Sequence, residues 1–243
     1  MSETTRFQVP GKLISDVAVR APLDGAKPTR VFLLLHGYSQ DGQHMLKRLE
    51  APIAEWEKQS GGQALILAPS GTYPIPERSE NGWQVGYSWY FYDFTTDEYY
   101  IDMENAVLLL NGIVAQAGAS FAAQSGSSGI AAHAGVQKTL PVTVIGFSQG
   151  GYLAPIFAKS SAQVDHVIGI GCEFLKDEIA DPIRFRMDGV HGADDSVVDG
   201  LNSQKSHAAL VARGVQGAFQ LLPGEGHKIS RAVSECVKQL LLL

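Results

Sequence analysis

The sequence predicts an α/β fold in which a mostly parallel central sheet carries helices on both faces. Three observations predict it. Short apolar runs bounded by Gly, Pro or polar residues recur along the chain, and longer stretches with helical spacing separate them. At 243 residues the chain is long for one small module and short for two ordinary domains, so one domain spanning 1–243 is expected.

The apolar runs are 31–35, 64–68, 142–145 and 166–170. Each is almost continuously apolar, as strands buried on both faces of a parallel sheet are. Helical spacing covers 43–58, 102–116, 150–159 and 202–213. Ahead of the first run, 13–20 and 30–35 flank a turn region containing Pro, Asp and Gly, which suits a leading hairpin or an antiparallel edge strand. At the far end Ile229, Val233, Val237, Leu240 and Leu241 fall on one side of a helix that would close the fold.

Two stretches break the alternation. From Trp83 to Tyr100 every second residue is aromatic on average, in a chain with 10 Phe, 8 Tyr and 3 Trp. This marks about 73–101 as an aromatic-rich loop or lid. Residues 118–135 are almost all Ala, Gly, Ser and Gln, too small and polar to bury much, so about 118–138 reads as a small-residue insertion.

Composition narrows the function classes. The chain is 45% hydrophobic and 18% charged with net charge -6, and it has no run of Lys and Arg, which argues against a nucleic-acid partner. Two cysteines, Cys172 and Cys236, do not make a disulfide framework. No apolar run approaches the roughly 20 residues of a membrane helix. The opening residues lack the charged start and apolar stretch of a secretory leader, so a cytoplasmic protein without integral membrane association is expected.

The chemistry centres on Gly146-Phe147-Ser148-Gln149-Gly150. A Gly-x-Ser-x-Gly is short enough to arise by chance, but here a strand pattern precedes it and a helical pattern follows. That puts Ser148 on a sharp strand-to-helix turn, where the flanking glycines leave room for a strained serine. A serine hydroxyl needs a base, and the base an orienting acid. His227, in Gly224-Glu225-Gly226-His227 after the strand pattern 219–222, is placed to be the base. His36 and His191 each precede a glycine after a strand and read as structural turn residues. His44, His133, His166 and His207 read as satisfied or solvated. The acid comes from His191-Gly192-Ala193-Asp194-Asp195, which offers two adjacent carboxylates. Either gives the order Ser, Asp, His that this turn chemistry uses. Oxyanion donors are expected from the backbone N–H of Gln149, at a helix start, and of Tyr38, in the loop after the first long strand.

These blocks together, with Leu35-His36-Gly37-Tyr38-Ser39-Gln40-Asp41-Gly42 and His191-Gly192-Ala193-Asp194-Asp195-Ser196-Val197-Val198, resemble the phospholipase/carboxylesterase family of α/β-hydrolases. That family includes acyl-protein thioesterases and is close to the fungal-type serine hydrolases. The resemblance implies the α/β-hydrolase fold and selects Asp195 over Asp194, through the family pattern His-Gly-x-x-Asp-x-x-Val. It implies the same two oxyanion donors, Tyr38 and Gln149, and places a loop near the site at Ser88-Trp89-Tyr90. Asp199 stands where the family often has Pro.

The expected activity is hydrolysis of short- to medium-chain or aromatic carboxylic esters through an acyl-enzyme on Ser148, His227 and Asp195, without metal or cofactor. Acyl-protein or acyl-thioester hydrolysis and lysophospholipase activity on the same triad are the alternatives. Trp83, Trp89, Tyr90 and Phe91 are the expected pocket wall, although aromatics in this stretch could equally form a satellite core. The partner is a small ester or thioester, and exposed aromatics would favour a homodimer. A non-catalytic ligand binder of the same fold would keep the aromatic pocket but not react with a fluorophosphonate.

Overall fold

The computed structural model describes residues 12–22, 25–80, 82–93, 95–124, 140–175, 179 and 182–243. A seven-stranded sheet organises it. The strands are β1 (Val17–Arg20), β2 (Arg30–Leu35), β3 (Ala64–Pro69), β8 (Val142–Phe147), β9 (Val164–Ile170), β10 (Arg186–Gly192) and β11 (Phe219–Leu222), in the order β1-β3-β2-β8-β9-β10-β11. β1 is antiparallel to β3 and every other pairing is parallel. The leading segment is therefore an antiparallel edge strand. It does not form a hairpin with β2, because β3 lies between them.

The period-2 geometry of strands sorts the apolar runs onto two faces. Val31, Leu33 and Leu35 of β2 join one core with Leu65, Leu67, Val142 and Val144. Phe32 and Leu34 join the other with Ile66, Ile145 and Ile168. Helices α2 (Glu104–Gln124), α3 (Gln149–Ser160) and α4 (Gly200–Ala212) cover the first face. Helices α1 (Gly42–Ser60) and α5 (Arg231–Leu241) cover the second. In α5, Val233, Val237 and Leu240 are buried as their spacing predicts, and Ile229 is buried just ahead of the helix. Three of these helix starts are capped by a side chain: Asp41 accepts from His44 N at the start of α1, Asp199 from Leu201 N and Asn202 N at α4, and Ser230 from Val233 N at α5.

The aromatic stretch is built rather than loop-like. It forms two hairpins, β4 (Tyr73–Ser79) with β5 (Gly82–Ser88), and β6 (Phe91–Asp93) with β7 (Glu98–Ile101). The small-residue stretch begins inside α2, which runs to Gln124, and from 125 to 138 it lies outside the described residues. No helix among the described residues is long and apolar enough to cross a membrane.

One feature of the topology positions the site. From β2 the chain moves by α1 to β3 on one side, whereas β8, on the other side of β2, leads by α3 to β9. Because α1 and α3 cover opposite faces, the loops leaving β2 and β8 diverge and leave a crevice at the carboxyl ends of these strands.

Candidate active site

Ser148 occupies the turn from β8 to α3 with φ 50 and ψ -120. A non-glycine residue there carries strain of roughly 1–3 kcal/mol, and close packing enforces it. A Cβ on Gly146 would come within 2.2 Å of the Gly150 carbonyl oxygen, and one on Gly150 within 2.4 Å of the Leu35 carbonyl oxygen. The two glycines thus let the turn press against itself and against β2, which presents the Ser148 hydroxyl at the crevice.

His227, after β11, brings its Nε2 to 3.0 Å from Ser148 Oγ. Its Nδ1 lies 2.7 Å from Asp195 Oδ2. A carboxylate oxygen can only accept here, so Nδ1 carries the proton and Nε2 turns a lone pair toward the serine. Asp195 is held in turn: Oδ1 accepts from Val197 N at 2.8 Å and Val198 N at 3.0 Å. Burial pushes its pKa up, but the Val198 N–H, the His227 ring and the Val197 N–H more than offset this and hold it below the usual carboxylate value. Asp194 is exposed and makes no such contact, so the geometry distinguishes the neighbours as the family pattern does.

His191 is more than a turn residue. Its buried Nε2 lies 3.1 Å from Asp195 Oδ2 and 3.1 Å from the Val198 carbonyl oxygen, giving the carboxylate a second imidazole neighbour. The sequence signal for it was present, since His191 heads the same block as Asp195. His36 is structural: Nδ1–H donates to the Gly37 carbonyl at 2.6 Å and Nε2 accepts from Gly71 N at 2.8 Å. Burial lowers its pKa to about 4.

The Tyr38 loop is fixed from β5. Ser39 N donates to the Tyr87 carbonyl at 3.0 Å and Tyr87 N to the Gln40 carbonyl at 2.9 Å. Among the described residues the backbone N–H groups of Tyr38 and Gln149 have no internal acceptor, which leaves both free for a ligand oxygen. The Gln149 side chain plays a part not read from the sequence. Its Oε1 accepts from Trp89 N at 3.0 Å and its Nε2 donates to the Tyr90 carbonyl at 2.8 Å, clamping the 88–90 segment over the turn.

A cavity of ≈ 680 Å³ opens at Ser148, walled by Tyr38, Tyr90, Phe91, Tyr92, Tyr152, Val197 and Val198 among others. Of the four aromatics expected in the wall, Tyr90 and Phe91 line it. Trp89 does not: it is fully buried beneath, its Nε1–H donating to the His36 carbonyl at 2.9 Å. Trp83 does not either, being 69% exposed at the outer end of the β4–β5 hairpin. Trp83 lies in the exposed outer half of the hairpin and Trp89 just past the buried inner end of β5, and aromatic density alone cannot reveal this. Among the described residues no group of three His, Cys, Asp or Glu side chains could hold a metal ion.

The family model described as Phospholipase/Carboxylesterase matches residues 17–241. The chain belongs to the phospholipase/carboxylesterase family. As a member of it, this protein has the α/β-hydrolase fold and is a serine hydrolase of the carboxylesterase/thioesterase type. Its fold is similar to that of esterase PE8, with TM-score 0.67 and 18% identity over 94% of this chain and 98% of that one. A Bacillus cereus carboxylesterase aligns with TM-score 0.60 and 15% identity, covering 94% of this chain and 93% of the other. Zea mays acyl-protein thioesterase 2 aligns with TM-score 0.58 and 18% identity, covering 94% and 98%. Among curated proteins none matches significantly.

Proposed function

We propose that this protein is a cytoplasmic serine carboxylesterase that hydrolyses short- to medium-chain or aromatic carboxylic esters through an acyl-enzyme. One observation carries the reading: the continuous chain from Ser148 Oγ to His227 Nε2 at 3.0 Å and from His227 Nδ1 to Asp195 at 2.7 Å, beside a cavity. Ser148 Oγ attacks the ester carbonyl carbon while His227 Nε2 takes its proton, and Asp195 stabilises the imidazolium. The Tyr38 and Gln149 N–H groups receive the oxyanion. Collapse expels the alcohol, which takes the proton from His227. Water then attacks the acyl-enzyme, its proton passing through His227 back to Ser148 Oγ as the acid leaves. The buried thiols of Cys172 and Cys236, unpaired with each other, suit a reducing compartment.

Ser148→Ala is expected to lower p-nitrophenyl butyrate turnover by a factor on the order of 10⁶ while the circular dichroism spectrum and melting temperature stay in place. Turnover retained in that variant refutes the assignment. Fluorophosphonate labelling lost in Ser148→Ala separates an enzyme from a ligand binder. Running thioesters beside esters in the same assay decides the leaving group, since the triad is indifferent to it.

A further inference from the structure

The cavity at Ser148 is not a neutral acyl slot. Its wall is rich in aromatic rings, and among the described residues the charged side chains lining it are two carboxylates, Glu173 and Asp199, with no Lys or Arg. The two are not equivalent. Asp199 Oδ1 accepts from Leu201 N at 2.8 Å and Asn202 N at 2.9 Å, so this carboxylate is engaged by the start of α4. Glu173 stands just beyond β9, half-buried, and among the described residues its carboxylate has no hydrogen-bond or ion-pair partner. Its backbone is anchored on both sides, by buried Cys172 and by Phe174, whose N–H donates to Ser206 Oγ at 3.0 Å. The neighbouring Tyr152 hydroxyl, pushed upward in pKa chiefly by burial, stays protonated and adds a ring without a charge.

A half-buried carboxylate without a partner is satisfied best when a ligand supplies the cation. Aromatic faces attract the same charge, and the net charge of -6 adds to it at long range. We propose that this cavity selects esters carrying an ammonium group, with Glu173 as the residue that sets the preference. The proposal rests on Ser148 as the nucleophile of the same cavity.

The test uses butyrylcholine and its uncharged isostere, 3,3-dimethylbutyl butyrate, which differ by the charge alone. Wild-type kcat/KM is expected to favour the choline ester by about tenfold, and the ratio is expected to fall near unity in Glu173→Gln. Misfolding lowers both rates alike and leaves the ratio, so the ratio reads specificity alone. Phenyltrimethylammonium binding, followed by calorimetry without turnover, should weaken by about tenfold in the same variant. A wild-type ratio near unity, a preference that survives Glu173→Gln, or unchanged phenyltrimethylammonium binding overturns the proposal. Ester turnover that persists in Ser148→Ala overturns instead the nucleophile assignment, and the calorimetric arm still decides the cation preference.

Discussion

Two aspartate–histidine pairs lie at opposite ends of the same sheet, each joined by a 2.7 Å hydrogen bond. β10 supplies both acids, Asp188 near its start and Asp195 three residues beyond its end. At the start, the fully buried Asp188 takes His166 Nε2, Arg186 Nε at 2.7 Å and Nη2 at 2.9 Å, and the Ala218 N–H. Burial pushes its pKa up, yet the His166, Arg186 and Ala218 hydrogen bonds hold it below the ordinary carboxylate value. The cavity beside it, ≈ 280 Å³, is lined by Arg30 and Asp165, which are ion-paired to each other at 2.6 Å. At the other end, His227 has its second nitrogen on Ser148, and the neighbouring cavity holds a carboxylate that has no partner among the described residues. The same pair is therefore structural where the carboxylate is shared by a histidine, an arginine and a backbone N–H, and chemically poised where the second histidine nitrogen faces a serine hydroxyl beside a cavity.

Substitutions at the two ends should separate these roles. The largest effect is expected for Asp195→Asn, which leaves His227 in the wrong tautomer: ester kcat should fall by about 10⁴-fold with little change in melting temperature. A loss of stability without a loss of rate would put Asp195 in the class of Asp188. Asp188→Asn should do the converse, costing about 3 kcal/mol of unfolding free energy by stranding Arg186, with kcat per folded molecule retained. Chemical denaturation and steady-state kinetics on the same preparation measure both.

A third histidine sharpens the contrast through pH. The pKa of folded His36 is about 4 against 6.5 for the free group. The unfolded chain therefore binds the extra proton between these values, so stability falls as pH drops from about 6.5 toward 4. That contribution is roughly 3 kcal/mol. Denaturation midpoints across this range should flatten in His36→Gln. An equally steep fall in that variant would assign the pH dependence to other groups. The smallest effect is expected for the exposed neighbour: Asp194→Asn should leave rate and stability unchanged, and a large rate loss there would reverse the choice between the two carboxylates.

Ser148 was legible because a short motif sat between a strand pattern and a helix pattern, and the structure supplies the reason for its glycines in the carbonyls of Gly150 and Leu35. His227 was legible from its loop after a strand. The residues left unread act through three-dimensional neighbours. Glu173 and Tyr152 reach the cavity from the end of β9 and from α3, and neither lies in a recognisable pattern. His191 heads the same block as Asp195, but only the fold sets its ring 3.1 Å from that carboxylate. Trp83 and Trp89 share one aromatic stretch, yet one is solvent-exposed and the other fully buried.

The linear pattern by itself determined the alternation of buried strands and amphipathic helices, and the chain order of Ser148, Asp195 and His227 on their turns, because these depend on local periodicity and on turns a few residues long. Tertiary structure alone decided what stands around them. Packing α1 and α3 on opposite faces opened the crevice between β2 and β8, and in that crevice segments far apart in sequence bring together the Ser148 hydroxyl, the His227 ring and, among the described residues, two N–H groups and one carboxylate without a partner.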